Sequence, residues 1–172
     1  MHHLWAPWRM TYVTGSKPDG CVFCSKVDDT RDADNYVLYR GQHNFVILNV
    51  YPYNSGHLMV VPYKHVACMT ELDEESLQEM FLMAQVCVGV MKQHLHAEGV
   101  NLGMNIGQAA GAGIEQHLHL HLVPRWSGDT NYMTTVAGTR VVPQDLMATY
   151  KDMLPVLTKA LEETLPGERT GC

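Results

Sequence analysis

The feature that most constrains this chain is a run in which histidine and leucine alternate, Gln116-His117-Leu118-His119-Leu120-His121-Leu122-Val123-Pro124. Successive side chains of a β-strand point to opposite faces, so the imidazoles would share one face and the leucines the other. In a helix of 3.6 residues per turn, the same run would mix leucine and imidazole on every side. We therefore predict a strand whose leucine face packs against helices and whose imidazole face looks into a polar site.

A row of imidazoles on one strand favours a functional site over a structural role. Imidazole has an unperturbed pKa of about 6.5, so it can act as base, nucleophile, cation or metal ligand near neutral pH. A sheet gains nothing from bulky, partly charged rings, and their mutual repulsion opposes charging all of them. Two kinds of site remain open from the residues alone: a metal site of the His-x-His type, or nucleophilic and acid–base chemistry.

The segment before the histidines is a loop of small residues, Asn105-Ile106-Gly107-Gln108-Ala109-Ala110-Gly111-Ala112-Gly113-Ile114. Glycine can present its backbone N–H at close range and adopt positive φ, which suits a cradle for phosphate oxygens. Because this loop leads directly into the histidine run, it indicates a phosphate group placed beside imidazoles.

The histidine run and the residues that follow it, Leu122-Val123-Pro124-Arg125-Trp126, resemble the signature of the histidine triad (HIT) nucleotide hydrolases and transferases. Asn49 and the segment Gly56-His57 match upstream parts of the same pattern, as do Asn105 and the glycine-rich loop. The segments Leu4-Trp5-Ala6-Pro7-Trp8-Arg9-Met10 and Trp126-Ser127-Gly128-Asp129-Thr130-Asn131-Tyr132-Met133 resemble the branch that contains bacterial diadenosine tetraphosphate phosphorylases and hydrolases.

The pattern of turns and apolar runs predicts an α+β fold. Hairpin turns and one long helix favour an antiparallel sheet, and the resemblance implies the HIT-like five-stranded sheet with a long helix and a C-terminal helix. We expect strands at 36–40, 44–49, 57–62, 100–106 and in the histidine run, and helices at 73–96 and 143–165, with a kink or break at Pro155. Residues 1–18 would form an irregular arm, 19–126 the HIT domain, and 127–172 an extension whose helix packs on that domain.

Cys21-Val22-Phe23-Cys24 is a Cys-x-x-Cys motif. A structural zinc site needs two further nitrogen or sulfur ligands, and the candidates are His65 and His117. The resemblance implies the same set, since many bacterial members carry zinc on Cys-x-x-Cys, a histidine after the third strand and the first triad histidine. We predict a structural zinc held by Cys21, Cys24, His65 and His117.

The resemblance also implies the catalytic residues. The middle histidine, His119, would attack the α-phosphorus of a nucleoside polyphosphate and form a nucleotidyl-histidine intermediate. A nearby main-chain carbonyl would fix its tautomer, and His121 and His57 would contact the α-phosphate and offset its charge. Asn105 would hold a further phosphate oxygen.

The remaining predicted contacts are to the nucleotide. Backbone N–H groups around Ala112 and Gly113 would bind phosphate oxygens, Asn49 would contact the ribose, and Ile47 or Leu48 would line the base pocket. The expected partner is therefore a nucleoside polyphosphate or another AMP-containing small molecule, and a homodimer is implied by the family.

One question about the reaction and two alternatives to it stay open at this point. Water as the second nucleophile gives a hydrolase, and inorganic phosphate gives a phosphorylase. The alternatives to an enzyme of this kind are a non-catalytic purine-nucleotide-binding HIT protein and a metalloenzyme with His117, His119 and His121 as ligands of an open site.

Composition excludes several other classes. A chain of 172 residues is long enough to bury a core as one domain. Twelve basic against eighteen acidic residues give a net charge of −6, which argues against nucleic acid or an anionic membrane as partner. No apolar segment approaches 18 residues, and the N-terminus lacks a secretory h-region. Five cysteines, an odd number, do not suggest a disulfide framework, so we expect a cytoplasmic protein.

Overall fold

The computed structural model of the protein describes residues 20–129 and 144–165. The regular elements are α1 (Cys24–Asp28), α2 (Asp32–Asn35), β1 (Val37–Arg40), β2 (Asn44–Leu48), β3 (Leu58–Pro62), α3 (Glu74–Gln93), β4 (Gly99–Gly103), β5 (Leu120–Arg125) and α4 (Leu146–Thr164). Two 3-10 turns, Met69–Glu71 and Gln108–Ala110, precede α3 and β5. The predicted irregular arm at 1–18 lies outside the described residues.

The strands form one five-stranded sheet in the order β1-β2-β3-β5-β4, and every neighbouring pair is antiparallel. This confirms the predicted α+β class and the five-stranded antiparallel sheet. The pairing of β3 with β5 joins segments about 60 residues apart in sequence and sets Met59 opposite His121. That register brings His57, immediately before β3, next to His121 of β5.

The two faces of the sheet differ in what covers them. On one face, Leu48, Leu58, Leu120 and Leu122 pack with the buried stripes of α3 and α4 in the main core. On the other face, a smaller cluster consists of Phe23, Val37, Phe45, Ile47, Met59 and Val61. Successive side chains of each strand point to opposite faces, so the two clusters lie on opposite sides of the sheet. His121, opposite Met59, therefore lies on the face away from the helices.

Helix α3 begins at Glu74, one residue after the predicted start at residue 73. The side chain of Asp73 accepts a hydrogen bond from the backbone N–H of Ser76, which satisfies one of the free donors of the first turn. The predicted end near residue 96 is wrong: the helix ends at Gln93, and His96, with a φ of +52°, turns the chain before Gly99 starts β4. His96 thus adopts the left-handed conformation, which is far more common for glycine.

Helix α4 packs across α3 and β1. Met153, Leu157 and Leu161 are fully buried, and the hydroxyls of Tyr150 and Thr158 donate to the carbonyls of Val37 and Leu38. The break considered at Pro155 is wrong, because the helix runs through it. Proline lacks a backbone N–H, but this position is exposed, so the lost hydrogen bond leaves no buried group unpaired. No helix among residues 20–129 and 144–165 is long and apolar enough to cross a bilayer.

Candidate active site

The histidine run is only partly a regular strand. β5 begins at Leu120, so the prediction of a strand through His117 and His119 is wrong for its first half. The backbone N–H of Leu118 donates instead to the carbonyl of Val66, beyond the end of β3. His119 and His121 still lie side by side, with ring centroids 4.7 Å apart, but His117 turns toward a different cluster.

His119 has one ring nitrogen committed to the backbone. Its Nδ1 lies 2.8 Å from the carbonyl oxygen of His117, which can only accept a hydrogen bond. The proton of the neutral ring therefore sits on Nδ1, and Nε2 carries the lone pair. His119 is thus held in the tautomer that a nitrogen nucleophile requires.

His57 and His121 form a second, ordered pair. The backbone N–H of Tyr53 donates to Nδ1 of His57 at 3.1 Å, so the His57 proton must sit on Nε2. That Nε2–H lies 3.0 Å from Nδ1 of His121 and donates to it. His121 is left with its own proton on Nε2, so the pair presents an N–H donor where His119 presents a lone pair.

Burial keeps these rings neutral. Loss of solvation lowers the pKa of His57 to about 3 and that of His121 to about 4, with repulsion from neighbouring imidazoles as the second cause. Burial also lowers the pKa of His119, although its hydrogen bond to the His117 carbonyl opposes the shift. Near neutral pH the site therefore holds three uncharged imidazoles with defined protons.

The predicted phosphate loop starts beside His121. Gly103, the last residue of β4, is the register partner of His121, and a Cβ built on Gly103 would meet no atom within 4 Å. Asn105 follows two residues later and is half-buried. Gly107 and Gly111 flank the 3-10 turn with φ of +81° and +83°, which only glycine adopts easily. Ala112 and Gly113 follow this turn, on the segment leading to the histidines.

The candidate nucleoside residues lie at the end of β2. The side-chain oxygen of Asn49 accepts from the backbone N–H of Tyr51. Leu48 and Asn49, together with His57, line a cavity of about 500 Å³ whose opposite wall is the start of α4. Ile47 points to the other face and packs with Met59. The two residues predicted for the base pocket therefore lie on opposite faces of the strand.

The four predicted metal ligands come together at the edge of this site. The side-chain donor atoms of Cys21, Cys24, His65 and His117 all lie within 4.8 Å of one another. Nδ1 of His117 is 3.2 Å from Sγ of Cys21 and 3.2 Å from Nδ1 of His65, and Sγ of Cys24 is also 3.2 Å from Nδ1 of His65. Among residues 20–129 and 144–165, no other group of this kind is close enough to hold a metal ion.

A family model described as the HIT domain matches residues 30–128 of this chain. The chain belongs to the HIT family.

Relatives and solved structures agree with this assignment. The chain is 36% identical over 157 residues to an AP-4-A phosphorylase from Mycobacterium tuberculosis, covering 87% of this chain and 80% of that protein. It is similar to a zinc-bound HIT family protein from Mycobacterium smegmatis (TM-score 0.62, 29% identity, 84% of this chain and 94% of that one). It is also similar to a hypothetical histidine triad nucleotide-binding protein from Sulfolobus tokodaii (TM-score 0.65, 30% identity, 83% and 93%).

The cysteine and histidine cluster of this HIT protein fits zinc. Zinc bonds of about 2.3 Å to sulfur and about 2.0–2.1 Å to nitrogen, arranged as a tetrahedron, place neighbouring ligand atoms roughly 3.4–3.8 Å apart. The observed separations of 3.2–3.6 Å are close to this spacing. Nε2 of His117 lies 2.9 Å from the carbonyl of Pro62, which fixes its proton there and leaves Nδ1 as a lone pair for a metal.

Sequence reasoning missed three residues of this HIT site. Tyr53 supplies the N–H that orders the His57 ring, and its own ring covers His57 at a centroid distance of 4.9 Å. Asn54 ties the same loop to the carbonyl of Pro124 and the carboxylate of Asp129. A main-chain donor leaves no mark on residue identity, so only the Asn54 and Asp129 side chains offered a signal in the sequence.

Proposed function

We propose that this protein cleaves the phosphoanhydride chain of dinucleoside polyphosphates such as diadenosine tetraphosphate, through a nucleotidyl-histidine intermediate on His119. The observation that carries the proposal is the tautomer of His119, whose Nδ1–H is bound to the His117 carbonyl at 2.8 Å. The similarity to an AP-4-A phosphorylase across 87% of the chain supports the substrate class.

In the first step, Nε2 of His119 attacks the α-phosphorus of the substrate. A nitrogen–phosphorus bond forms, and the bond from phosphorus to the bridging oxygen breaks, so the rest of the polyphosphate leaves as ATP. The positive charge that develops on the imidazole is stabilised at Nδ1–H by the His117 carbonyl. AMP remains attached to His119.

His57 and His121 stabilise charge on the phosphorus oxygens during this step. The chain of donors from the Tyr53 backbone through His57 leaves Nε2–H of His121 as an oriented donor. Because these groups are fixed before substrate binds, they need little reorganisation as charge develops. Asn105 and the backbone N–H groups near Ala112 and Gly113 would bind the other oxygens, with Gly103 leaving room for them beside His121.

The adenosine of the attacked half lies toward the end of β2 in this proposal. Asn49 contacts the ribose hydroxyls, and Ile47, on the face of the sheet that carries His121, borders the base. Leu48 belongs to the helix-side core and contributes only to the wall of the adjacent cavity.

The second nucleophile decides the product. Inorganic phosphate attacking the nucleotidyl-histidine gives ADP, so the total reaction yields ADP and ATP. Water attacking the same intermediate gives AMP, so the products are AMP and ATP. The similarity to an AP-4-A phosphorylase favours phosphate.

Zinc has a structural role in this proposal. Two thiolates and two imidazoles complete a tetrahedron, so no position remains open for substrate or water. A reducing compartment such as the cytoplasm would keep Cys21 and Cys24 as free thiols able to bind the ion.

The test is intact-protein mass spectrometry after mixing wild type and His119→Ala with diadenosine tetraphosphate, with and without phosphate. We expect an acid-labile adduct of one AMP on wild type only, together with ADP and ATP when phosphate is present. Equal turnover by both proteins would show the mechanism to be wrong.

The same experiment separates the alternatives. Tight nucleotide binding without turnover in either protein would indicate a non-catalytic binding protein. Loss of the bound metal from His119→Ala would indicate a metalloenzyme built on the triad. The geometry disfavours that arrangement, because His117 and His119 direct their free nitrogens to different clusters.

We also propose a homodimer formed through β4. In the described part of the chain β4 pairs only with β5, and Leu102 on this edge strand is 47% exposed. An unpaired edge strand is a template for pairing with a second chain. Light scattering of wild type and Leu102→Lys tests this proposal, with a monomer in wild type contradicting it.

A further inference from the structure

Phe23 lies between the two cysteines of the metal cluster in sequence and between two functional histidines in space. Its ring is 2% exposed. The ring centroid lies 5.3 Å from that of His117, edge to face, and 5.1 Å from that of His119, tilted by 49°. One aromatic side chain therefore contacts both a metal ligand and the proposed nucleophile.

The backbone of Phe23 cannot move independently of the cysteines. Its carbonyl accepts from the backbone N–H groups of Lys26 and Val27, at 3.0 and 3.1 Å, at the start of α1. Cys21 and Cys24 flank it, so any ion bound by both thiols fixes the short loop that carries the ring. An ion bound by both thiols would therefore restrain the position of the ring.

The nucleophile has a second connection to the same cluster. The carbonyl of His117 accepts Nδ1–H of His119, while the His117 ring supplies Nδ1 to the cluster. A single hydrogen bond fixes the distance of the His119 ring but leaves rotation about the bond direction. Contact with a neighbouring aromatic ring restrains that rotation.

We propose that Phe23 is a positioning residue that couples occupancy of the Cys21, Cys24, His65 and His117 cluster to the orientation of the His119 imidazole. With zinc bound, Phe23 and the His117 carbonyl hold Nε2 of His119 in line with the phosphorus. Without zinc, the loop carrying Phe23 relaxes and the imidazole samples unproductive orientations. Misplacement of a reacting group by about 1 Å is enough to lower a rate by about 100-fold.

The activity part of this proposal rests on the proposed function, and the structural part does not. For that reason the first measurement is NMR of the His119 ring in protein labelled at histidine, with zinc bound and after chelation. We expect the His119 signals to shift or broaden when zinc is removed. Unchanged His119 signals in wild type would overturn the proposal, and this outcome depends on no variant.

The variants are Phe23→Leu and a matched control, Phe45→Leu. Phe45 is a fully buried phenylalanine of the same apolar cluster, but its ring stacks on Tyr63 at 5.6 Å. Both variants lose a buried ring of the same size, so both should lose thermal stability. In Phe23→Leu alone, zinc removal should shift the His119 signals much less than in wild type, with the His117 carbonyl as the remaining link, while zinc content stays at one per chain.

Kinetics complete the test. Phe23→Leu should form the AMP adduct about tenfold more slowly than wild type with unchanged nucleotide affinity, and zinc removal should slow it further by less than it slows wild type. Phe45→Leu should keep the wild-type rate and its zinc dependence. Equal slowing in both variants would reduce Phe23 to a packing role and overturn the proposal.

If wild type forms no adduct, the proposed function fails while the NMR comparison still decides the role of Phe23. A zinc-dependent shift of the His119 signals as large in Phe23→Leu as in wild type would overturn the coupling through this ring. A shift that is reduced only in Phe23→Leu, and not in Phe45→Leu, would establish it.

Discussion

His117 and His119 are two residues apart, carry the same side chain and are both buried, yet the structure prepares them for opposite tasks. His117 donates from Nε2 to the carbonyl of Pro62 and keeps Nδ1 free. His119 donates from Nδ1 to the carbonyl of His117 and keeps Nε2 free. In each case one main-chain carbonyl selects the tautomer, and the tautomer selects which nitrogen can bind a metal or attack phosphorus.

The surroundings of the two free nitrogens complete the contrast. Nδ1 of His117 faces the thiols of Cys21 and Cys24 and the ring of His65. Together these four donors could coordinate one tetrahedral ion. The ring of His119 instead lies against His121, whose partner His57 gives that pair a directed proton. A closed set of four donors suits a structural ion, whereas an open set with a lone pair beside an N–H suits group transfer.

The largest expected effect comes from removing the open nitrogen. His119→Ala should lower turnover by at least about 1000-fold and abolish the AMP adduct, because no other side chain that the structure describes at this site presents a fixed lone pair. Zinc content should stay at that of wild type, because the metal ligands are untouched. Single-turnover kinetics measures the loss of activity, and metal analysis measures the zinc content. If His119→Ala lost zinc, His119 and His117 would not have the separate roles assigned to them.

The second prediction concerns the donor chain of the open site. His57→Ala removes the donor to Nδ1 of His121 and leaves the backbone N–H of Tyr53 without its acceptor. We expect adduct formation to slow about 100-fold, with zinc content unchanged. His43→Ala is the control, since this histidine lies in the turn before β2 and the same assay should give the wild-type rate. A rate for His57→Ala within twofold of wild type would remove His57 from the mechanism.

The third prediction addresses the closed site. Cys24→Ala removes one of four ligands, so zinc content should fall from one per chain to near zero, and the melting temperature should drop by several degrees. Turnover should fall about tenfold through the displaced His119 ring. Cys68→Ala, which removes a thiol outside the cluster, should keep its zinc. Full turnover in zinc-free Cys24→Ala would show that the two sites are independent.

Local patterns predicted the parts of this contrast that depend on neighbouring residues. Alternation placed His119 and His121 together, and the predicted helix start at residue 73 lies one residue from that of α3. The irregular start of β5 was missed because the Leu118 N–H finds its partner at Val66, outside the regular ladder. A pattern of apolar and polar residues cannot report such a main-chain bond.

The long-range contacts could be expected only from the family resemblance, and local patterns could not predict them for the same physical reason. His57 meets His121 only because β3 pairs with β5 in one particular register, and a shift of one residue would turn His121 to the helices. The tautomers depend on carbonyls of Pro62 and His117, which every residue possesses. Phe23 appears in the sequence as an unremarkable residue between two cysteines, and only the fold sets its ring against His119.

The smallest expected effect is a dependence of stability on pH that originates in the open site. Burial lowers the pKa of His57 to about 3 in the folded protein, while the unfolded chain has the ordinary value of about 6.5. Above pH 6.5 the ring is neutral in both states and contributes no dependence. Between pH 6.5 and pH 3 the unfolded chain binds a proton that the folded protein does not, so the free energy of unfolding decreases as the pH falls.

Urea denaturation of wild type and His57→Gln between pH 7 and pH 5 isolates the contribution of His57 to the pH dependence of the free energy of unfolding. A difference of one bound proton corresponds to a slope of about 1.4 kcal/mol per pH unit, so wild type should lose stability more steeply than the variant by up to that amount. Contributions from the metal ligands are common to both proteins and cancel in the difference. Identical slopes would mean that the His57 ring is already cationic, with protons on both nitrogens, in the folded protein at pH 5. His57 could then no longer be a neutral donor to His121, and the contrast with the metal-facing histidine would rest on His119 alone.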